Sequence, residues 1–450
     1  MIHVAHAALL LLLLVTPFMF SYILEFLFSA STTTDFFEPK KFFVWVVAPL
    51  FIAAAAMDWV SRVRRIMLPS RLSIAAVLIA CCLAAWSFVT VASAQFPLVA
   101  LQRSIVLAGM IALVFAMRYV LQREAWRRRY VNVIIFAAAV TAIYAVLQFI
   151  YGYDPISRMV LPHAGQVGGA HAAGALFGTP WVVAVFLGIS FFLTLGYFSR
   201  LCSAERSWLA MAVGLCSVII LLAIAATNNR TTELALVYGF AALIPQGLAL
   251  LYRQVRLLRV FILLQGAGLV AVALVTVWMS LAALPEAAAR RWDAQLSGRL
   301  FAWRVAGRMA ADRPLSGVGL GGYEGGYLQG RVQLLAQPTA PFNYHRLGMF
   351  SWEAAHNEYL QILAELGVPG FVLFVLLVLA VSGIAGRRFA LEGGGKGGIG
   401  EQFARLLEVQ AWMAAMCTAL ASHVFQMAPL ALMAAFTTAL VVLGRPESTP

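Results

Sequence analysis

Apolar residues run through this chain in blocks of about twenty, parted by short polar turns. Twelve blocks can be drawn, at roughly 7–28, 42–60, 72–94, 98–118, 131–151, 180–198, 207–226, 231–252, 258–281, 367–388, 406–426 and 428–444. A helix of that length crosses the ~30 Å hydrocarbon core of a bilayer. Backbone groups in lipid must be satisfied internally, which favours helices, and the alternating ten-residue pattern of a membrane barrel is missing. The pattern predicts an all-α polytopic membrane protein with about twelve transmembrane helices. Spans one to nine fill residues 1–281, a long loop fills 282–366, and spans ten to twelve fill 367–450. The last two spans part only at a break near "QMAP". The first block lacks a basic leader and a small-residue cleavage site, so a retained span is expected rather than a signal peptide. The glycine-rich tract 163–178 fits either a loop or a re-entrant segment.

Composition agrees. Hydrophobic residues make up 62% and charged residues 11%, which excludes a water-soluble surface. The net charge of +13 invites a nucleic-acid reading, but the positions of the charges exclude it. "SRVRRIMLPSR", "RYVLQREAWRRR", "SRLCSAER", "YRQVRLLR" and the 387–405 loop all fall on one side of the predicted bundle. Short basic loops mark the cytoplasmic side, so both termini are expected there. Of the five cysteines, Cys81, Cys82, Cys216 and Cys417 lie in apolar runs and Cys202 in a short loop. Neither a disulfide framework nor metal-ligand spacing is visible.

The long loop breaks the charge rule. It lies on the opposite side yet carries Arg290, Arg291, Arg299, Arg304, Arg308, Arg313, Arg331 and Arg346, and no lysine. Long loops cross a membrane regardless of charge. A guanidinium grips phosphate in two-point fashion and stays charged, so phosphate binding and contact with anionic lipid headgroups are both open. Residues 299–312 suit a short amphipathic helix. Arg299 and Trp303 share one face, Arg304 and Arg308 another, and Asp312 is placed to pair with Arg308. Pro314 ends the helix, and "SGVGLGG" forms a turn whose backbone can approach a ligand. Arg299 is the first candidate for an anion, Arg304 the second. On the same side, Arg230 sits in the tight "ATNNRTTEL" turn. Arg103 lies about one turn inside span four, as a functional charge or a snorkelling one.

The segment "EAAHNEYLQILAELGVPG" places His356 among Glu353, Glu358 and Glu365 just ahead of span ten. Ser351 can cap a helix starting near Trp352. His356 then falls in its second turn, with Leu360, Leu363 and Gly367 continuing its face. A neutral imidazole there suits a general base.

"HNEYLQILAELGVPGF" and "GRLFAWRVAGRMAADRPLSGVGLGGY" resemble the signature of the O-antigen ligase family, which includes related polymerases and oligosaccharyltransferases. Motif identity covers about 226–233, 298–323 and 353–370, and the layout of twelve spans with one long loop matches throughout. The resemblance implies a C-type glycosyltransferase-like fold in the bacterial inner membrane with a periplasmic site. It implies transfer of a polysaccharide from an undecaprenyl pyrophosphate donor to a sugar of a lipid A–core acceptor, without metal or cofactor. By motif position His356 takes the catalytic histidine's role, and Arg230 and Arg299 those of the essential arginines.

The residues support such chemistry on their own terms. A pyrophosphate leaving group needs its growing charge stabilised, which Arg230, Arg299, Arg304 and Arg103 can do. His356 can take the acceptor's proton. No D-x-D pair occurs in the chain, so arginines are expected in place of a metal, and one direct displacement would invert the anomeric carbon. An O-antigen polymerase or a protein oligosaccharyltransferase remains an alternative. A lipid-linked glycan flippase would place its charges near the bilayer midplane, whereas these crowd one face.

Overall fold

A computed structural model describes residues 2–18, 38–61, 71–154, 159–160, 173, 175–177, 179–282, 287, 291, 299–336, 354–392 and 398–442. The expectations for Glu353, Ser351, Trp352, Arg290, Arg346 and most of the 163–178 tract lie outside these residues. The described residues form fourteen α-helices, three short 3₁₀ turns and one two-residue antiparallel pairing, β1 (Tyr153–Asp154) with β2 (Met159–Val160).

Twelve helices build the bundle: α1 (Ile2–Val15), α2 (Glu38–Ser61), α3 (Arg71–Val91), α4 (Pro97–Val120), α5 (Glu124–Tyr151), α6 (Pro180–Ser203), α7 (Ser207–Ala226), α8 (Arg230–Leu251), α9 (Val255–Leu281), α12 (Glu358–Glu392), α13 (Ile399–Thr418) and α14 (Ala428–Val442). Two short helices, α10 (Arg299–Asp312) and α11 (Tyr323–Leu335), lie between α9 and α12. Among the described residues nine helices are long and apolar enough to cross a membrane, and α1 and α14 are shorter apolar helices. The chain is a multi-pass membrane protein. Large side chains such as Leu98, Leu234 and Leu264 point outward, as a surface facing lipid requires.

Helix α6 is the pillar. Almost every residue from Val182 to Thr194 is buried, the pattern of a helix covered on all sides. It packs most extensively against α13. Mid-bundle, Gln246 of α8, Gln265 of α9 and Gln410 of α13 close a buried ring of hydrogen bonds. Gln246 Nε2 donates to Gln265 Oε1 at 2.9 Å, Gln265 Nε2 to Gln410 Oε1 at 2.8 Å, and Gln410 Nε2 to Gln246 Oε1 at 2.7 Å. Such mutual satisfaction is what lets polar side chains sit in an apolar interior.

Helix α12 is broken near its start. Gly367 adopts φ 67° and ψ −172°, a region essentially confined to glycine. Space demands glycine too, since a Cβ there would lie 2.3 Å from the Leu315 carbonyl oxygen. Val368 N donates to Pro314 O at 2.8 Å. Trp86 Nε1 satisfies the Leu366 carbonyl at 2.9 Å. The break seats the first segment of α12, residues 358–366, against the turn that follows α10.

Candidate active site

Four segments meet at the loop end of the bundle: the start of α4, the turn 313–322 after α10, the start of α12, and the 419–427 connection between α13 and α14. Two of the glutamates near His356 are structural pins. Buried Glu365 accepts from Gly321 N at 2.8 Å, Tyr323 N at 3.2 Å and Gln361 Nε2 at 3.0 Å. Buried Glu358 accepts from Phe425 N at 2.8 Å, and its own N–H donates to Ala419 O at 2.8 Å. One carboxylate therefore fixes the glycine turn and the other fixes the α13–α14 connection.

The glycine turn differs from expectation. Gly317, Gly319 and Gly321 all have positive φ, but much of the close approach is to the protein's own backbone. Val318 N and Gly319 N donate to Ala364 O and Glu365 O at 3.0 and 2.9 Å. Gly321 also meets Arg103, since a Cβ there would lie 2.5 Å from Arg103 Cγ. Glycine lets the α12 start and the arginine stem pack onto the turn.

The expected helix through His356 is also corrected. Helix α12 begins at Glu358, and its cap is Asn357, whose Oδ1 accepts Leu360 N at 3.1 Å. Asn357 Nδ2 donates to Thr276 Oγ1 of α9 at 3.2 Å, and Ala355 N donates to Gln361 Oε1 at 3.2 Å. His356 thus sits in a pinned stretch just before the helix, and Leu360, Leu363 and Gly367 do not continue its face. Its φ is 51°, uncommon for a residue with a side chain. Strain of this kind persists where the surroundings impose it, and it clusters at functional sites.

The half-buried His356 ring meets a second imidazole. His423, in the α13–α14 connection, stands edge-on to it at 4.8 Å between centroids, and its other side lies against Trp181 at 4.6 Å. Burial, then the nearby Arg299 charge, pull His356 down to about 4. Burial, His356 and Arg299 pull His423 down to about 3. Both rings are neutral at neutral pH.

The arginines divide. Arg299 is the first residue of α10, half-buried, with its guanidinium held below its usual basicity by burial. Trp303, one turn on, is buried, and its Nε1 has no hydrogen-bond partner among the described residues. Arg304 donates to Ala282 O at the end of α9 at 2.5 Å, which ties α10 to the bundle. Arg308 pairs with Asp312 at 3.2 Å, as the spacing predicts. Arg230 opens α8 behind an Asn229 cap whose Oδ1 accepts Thr232 N at 2.9 Å. It is exposed, and no contact brings it to the imidazoles among the described residues.

A cavity of about 420 Å³ opens beside the imidazoles. Its polar part includes Arg103, Glu324, Glu358, Gln361, Glu365 and His423, and its apolar part runs along α4 through Leu107, Met110, Ile111 and Val114. That α4 stretch is eight residues, roughly 10 Å of helix rise. Of the five expected site residues, Arg103 lines the cavity. Arg299 and His356 lie close enough to influence its imidazole, and Arg230 and Arg304 are not part of its wall. His423 is the residue that sequence reasoning missed. Its one signal is a histidine at the break between two apolar runs, on the side of the long loop. Among the described residues no three His, Cys, Asp or Glu side chains cluster as metal ligands.

A search among curated proteins gave no match. Residues 215–375 match the profile of a family described as O-antigen ligase. The matched stretch runs from α7 into α12 and contains Arg230, Arg299, Arg304 and His356; Arg103 and His423 lie outside it. Over that stretch the chain is similar to the O-antigen ligase family.

Proposed function

We propose that this protein is an O-antigen ligase. It transfers a polysaccharide from undecaprenyl pyrophosphate to a sugar hydroxyl of lipid A–core, at the periplasmic face of the bacterial inner membrane. The observation that carries the reading is the amphipathic cavity at the loop end. Its polar part joins a guanidinium to an imidazole, and its apolar part extends along the helices. A lipid diphosphate has that same division between head and chain.

The acceptor oxygen attacks the anomeric carbon as its proton passes to a ring nitrogen of His356. The bond from that carbon to the phosphate oxygen breaks, and the pyrophosphate leaves with the electron pair. One displacement inverts the anomeric carbon. Arg299 and Arg103 stabilise the leaving charge, with Arg230 and Arg304 as further candidates. Prearranged donors in a partly dry site are worth ~2.7–4 kcal/mol each. This chemistry requires no metal.

His356 is a weak base in the empty site because burial and Arg299 disfavour its cation. A diphosphate seated on Arg299 offsets that positive charge and raises the basicity of the ring. Donor binding then prepares the base, and an unloaded site stays inert.

The test is reconstitution of the purified protein with lipid-linked donor and lipid A–core in the presence of a chelator. Ligated lipopolysaccharide with inverted linkage is expected. A lengthened lipid-linked glycan would make the protein a polymerase, and donor movement across the bilayer without a product would make it a transporter.

A further inference from the structure

The family match ends before the α13–α14 connection, yet the structure builds that connection into the site with care. Glu358 holds it from both sides, accepting Phe425 N and donating its own N–H to Ala419 O, each at 2.8 Å. This bracing sets the His423 ring between His356 and Trp181. His423, unlike His356, lines the cavity. Its Nδ1 is buried and has no hydrogen-bond partner among the described residues. A buried nitrogen left without a partner costs about 1–3 kcal/mol. A ring fixed on two sides cannot turn to relieve it.

We propose that His423 contacts the ligand directly, its Nδ1 hydrogen-bonding an oxygen of the polar head of the amphiphile that the cavity holds. The inference rests on the transferase reading above and adds a substrate-binding residue to it. The head oxygen belongs to the donor's diphosphate or to a sugar. His423 supplies a hydrogen bond to it while His356 takes the proton. Burial and the nearby Arg299 charge disfavour a cationic ring here, so His423 works as a neutral partner. Trp181 completes the arrangement as the wall that keeps the ring edge-on.

The test compares His423→Phe, which keeps the aromatic packing against His356 and Trp181, with His423→Asn, whose amide reaches the place of Nδ1. Purified variants in nanodiscs are titrated with undecaprenyl pyrophosphate bearing no glycan, and KM is measured for lipid A–core. Loss of one buried hydrogen bond predicts a weakening of about ten- to a hundredfold in His423→Phe, with His423→Asn retaining most of the wild-type value. A weaker affinity for the bare lipid diphosphate assigns the contact to phosphate; an effect on the KM of lipid A–core alone assigns it to sugar. If His423→Phe matches wild type in both, the ring serves packing only and the inference is overturned. His356→Ala is the control. Activity retained there would defeat the transferase reading itself, whereas an inactive His356→Ala beside a fully active His423→Phe would defeat only the role of His423.

Discussion

The two ends of the bundle use arginine in opposite ways. At the end away from the long loop, arginines are matched to carboxylates. Arg200 pairs with Glu401 at 2.9 Å and with Glu408 at 2.7 Å, Arg127 reaches Glu401 at 3.7 Å, Arg388 reaches Glu408 at 3.8 Å, and Arg405 reaches Glu401 at 3.3 Å. The cluster joins α5, α6, α12 and α13, and most of it is buried. At the loop end the carboxylates are committed elsewhere. Glu358 and Glu365 spend their oxygens on backbone and amide N–H groups. Arg103, Arg230 and Arg299 form no ion pair with a carboxylate among the described residues. The first end is neutralised and holds helices together. The second leaves these guanidinium groups without a carboxylate partner among the described residues, and so available to an anion. The difference lies less in the arginines than in what their neighbouring carboxylates are already bonded to.

Substitutions at each end sharpen the contrast. His356→Ala removes the proton acceptor and should lower transfer by about 10²–10⁴-fold, while yield and thermal midpoint stay near wild type. Normal polymer on lipid A–core in cells carrying it would contradict the assignment. At the other end, Glu408→Ala takes a buried carboxylate away from Arg200 and Arg388. It should cost about 3–5 kcal/mol of stability, read as a lower thermal midpoint in detergent, with turnover per folded molecule unchanged. A loss of transfer without a loss of stability would break the comparison. Arg299→Ala should cost ~2.7–4 kcal/mol in kcat/KM. Arg299→Lys should recover part of it, since an ammonium lacks the two-point fork; full recovery would mean that positive charge alone is enough. Gly367→Ala should destabilise by about 1–3 kcal/mol through backbone strain and loosen the seat of the α12 start.

Much of this was legible in the chain. The helix expected at 299–312 is α10 itself, ended just before Pro314, with Arg308 on Asp312. Apolar block length was enough to read an all-helical membrane bundle, because lipid leaves the backbone few choices; it did not fix every helix, since α13 ends at Thr418 within the block expected at 406–426. The surroundings of His356 were harder to read. Ser351 and Asn357 both offer a cap, and local sequence does not choose between them. The choice reflects Asn357 Nδ2 reaching Thr276, a partner on another helix. The glutamates' use by backbone N–H groups, and the approach of His423, are likewise tertiary facts. Periodicity along one helix carries no record of them.

Acid dependence gives the smallest effect and the finest test of the base. His356 must be neutral to accept a proton, and its free-site value is about 4. The acid limb of kcat/KM should therefore fall as pH drops through about 4, well below an ordinary histidine. The limb of kcat should lie at higher pH, because bound diphosphate offsets Arg299. Coincident limbs near pH 6.5 would remove both burial and Arg299 from the account.

The most direct measurement is the affinity of the purified protein for undecaprenyl pyrophosphate, in wild type and Arg299→Ala, with Arg405→Ala as the least buried arginine bound to Glu401 or Glu408 in the opposite cluster. The account predicts at least tenfold weaker binding for Arg299→Ala and wild-type binding for Arg405→Ala. Equal affinity in all three, or weakening in Arg405→Ala alone, would contradict a diphosphate site at the loop end.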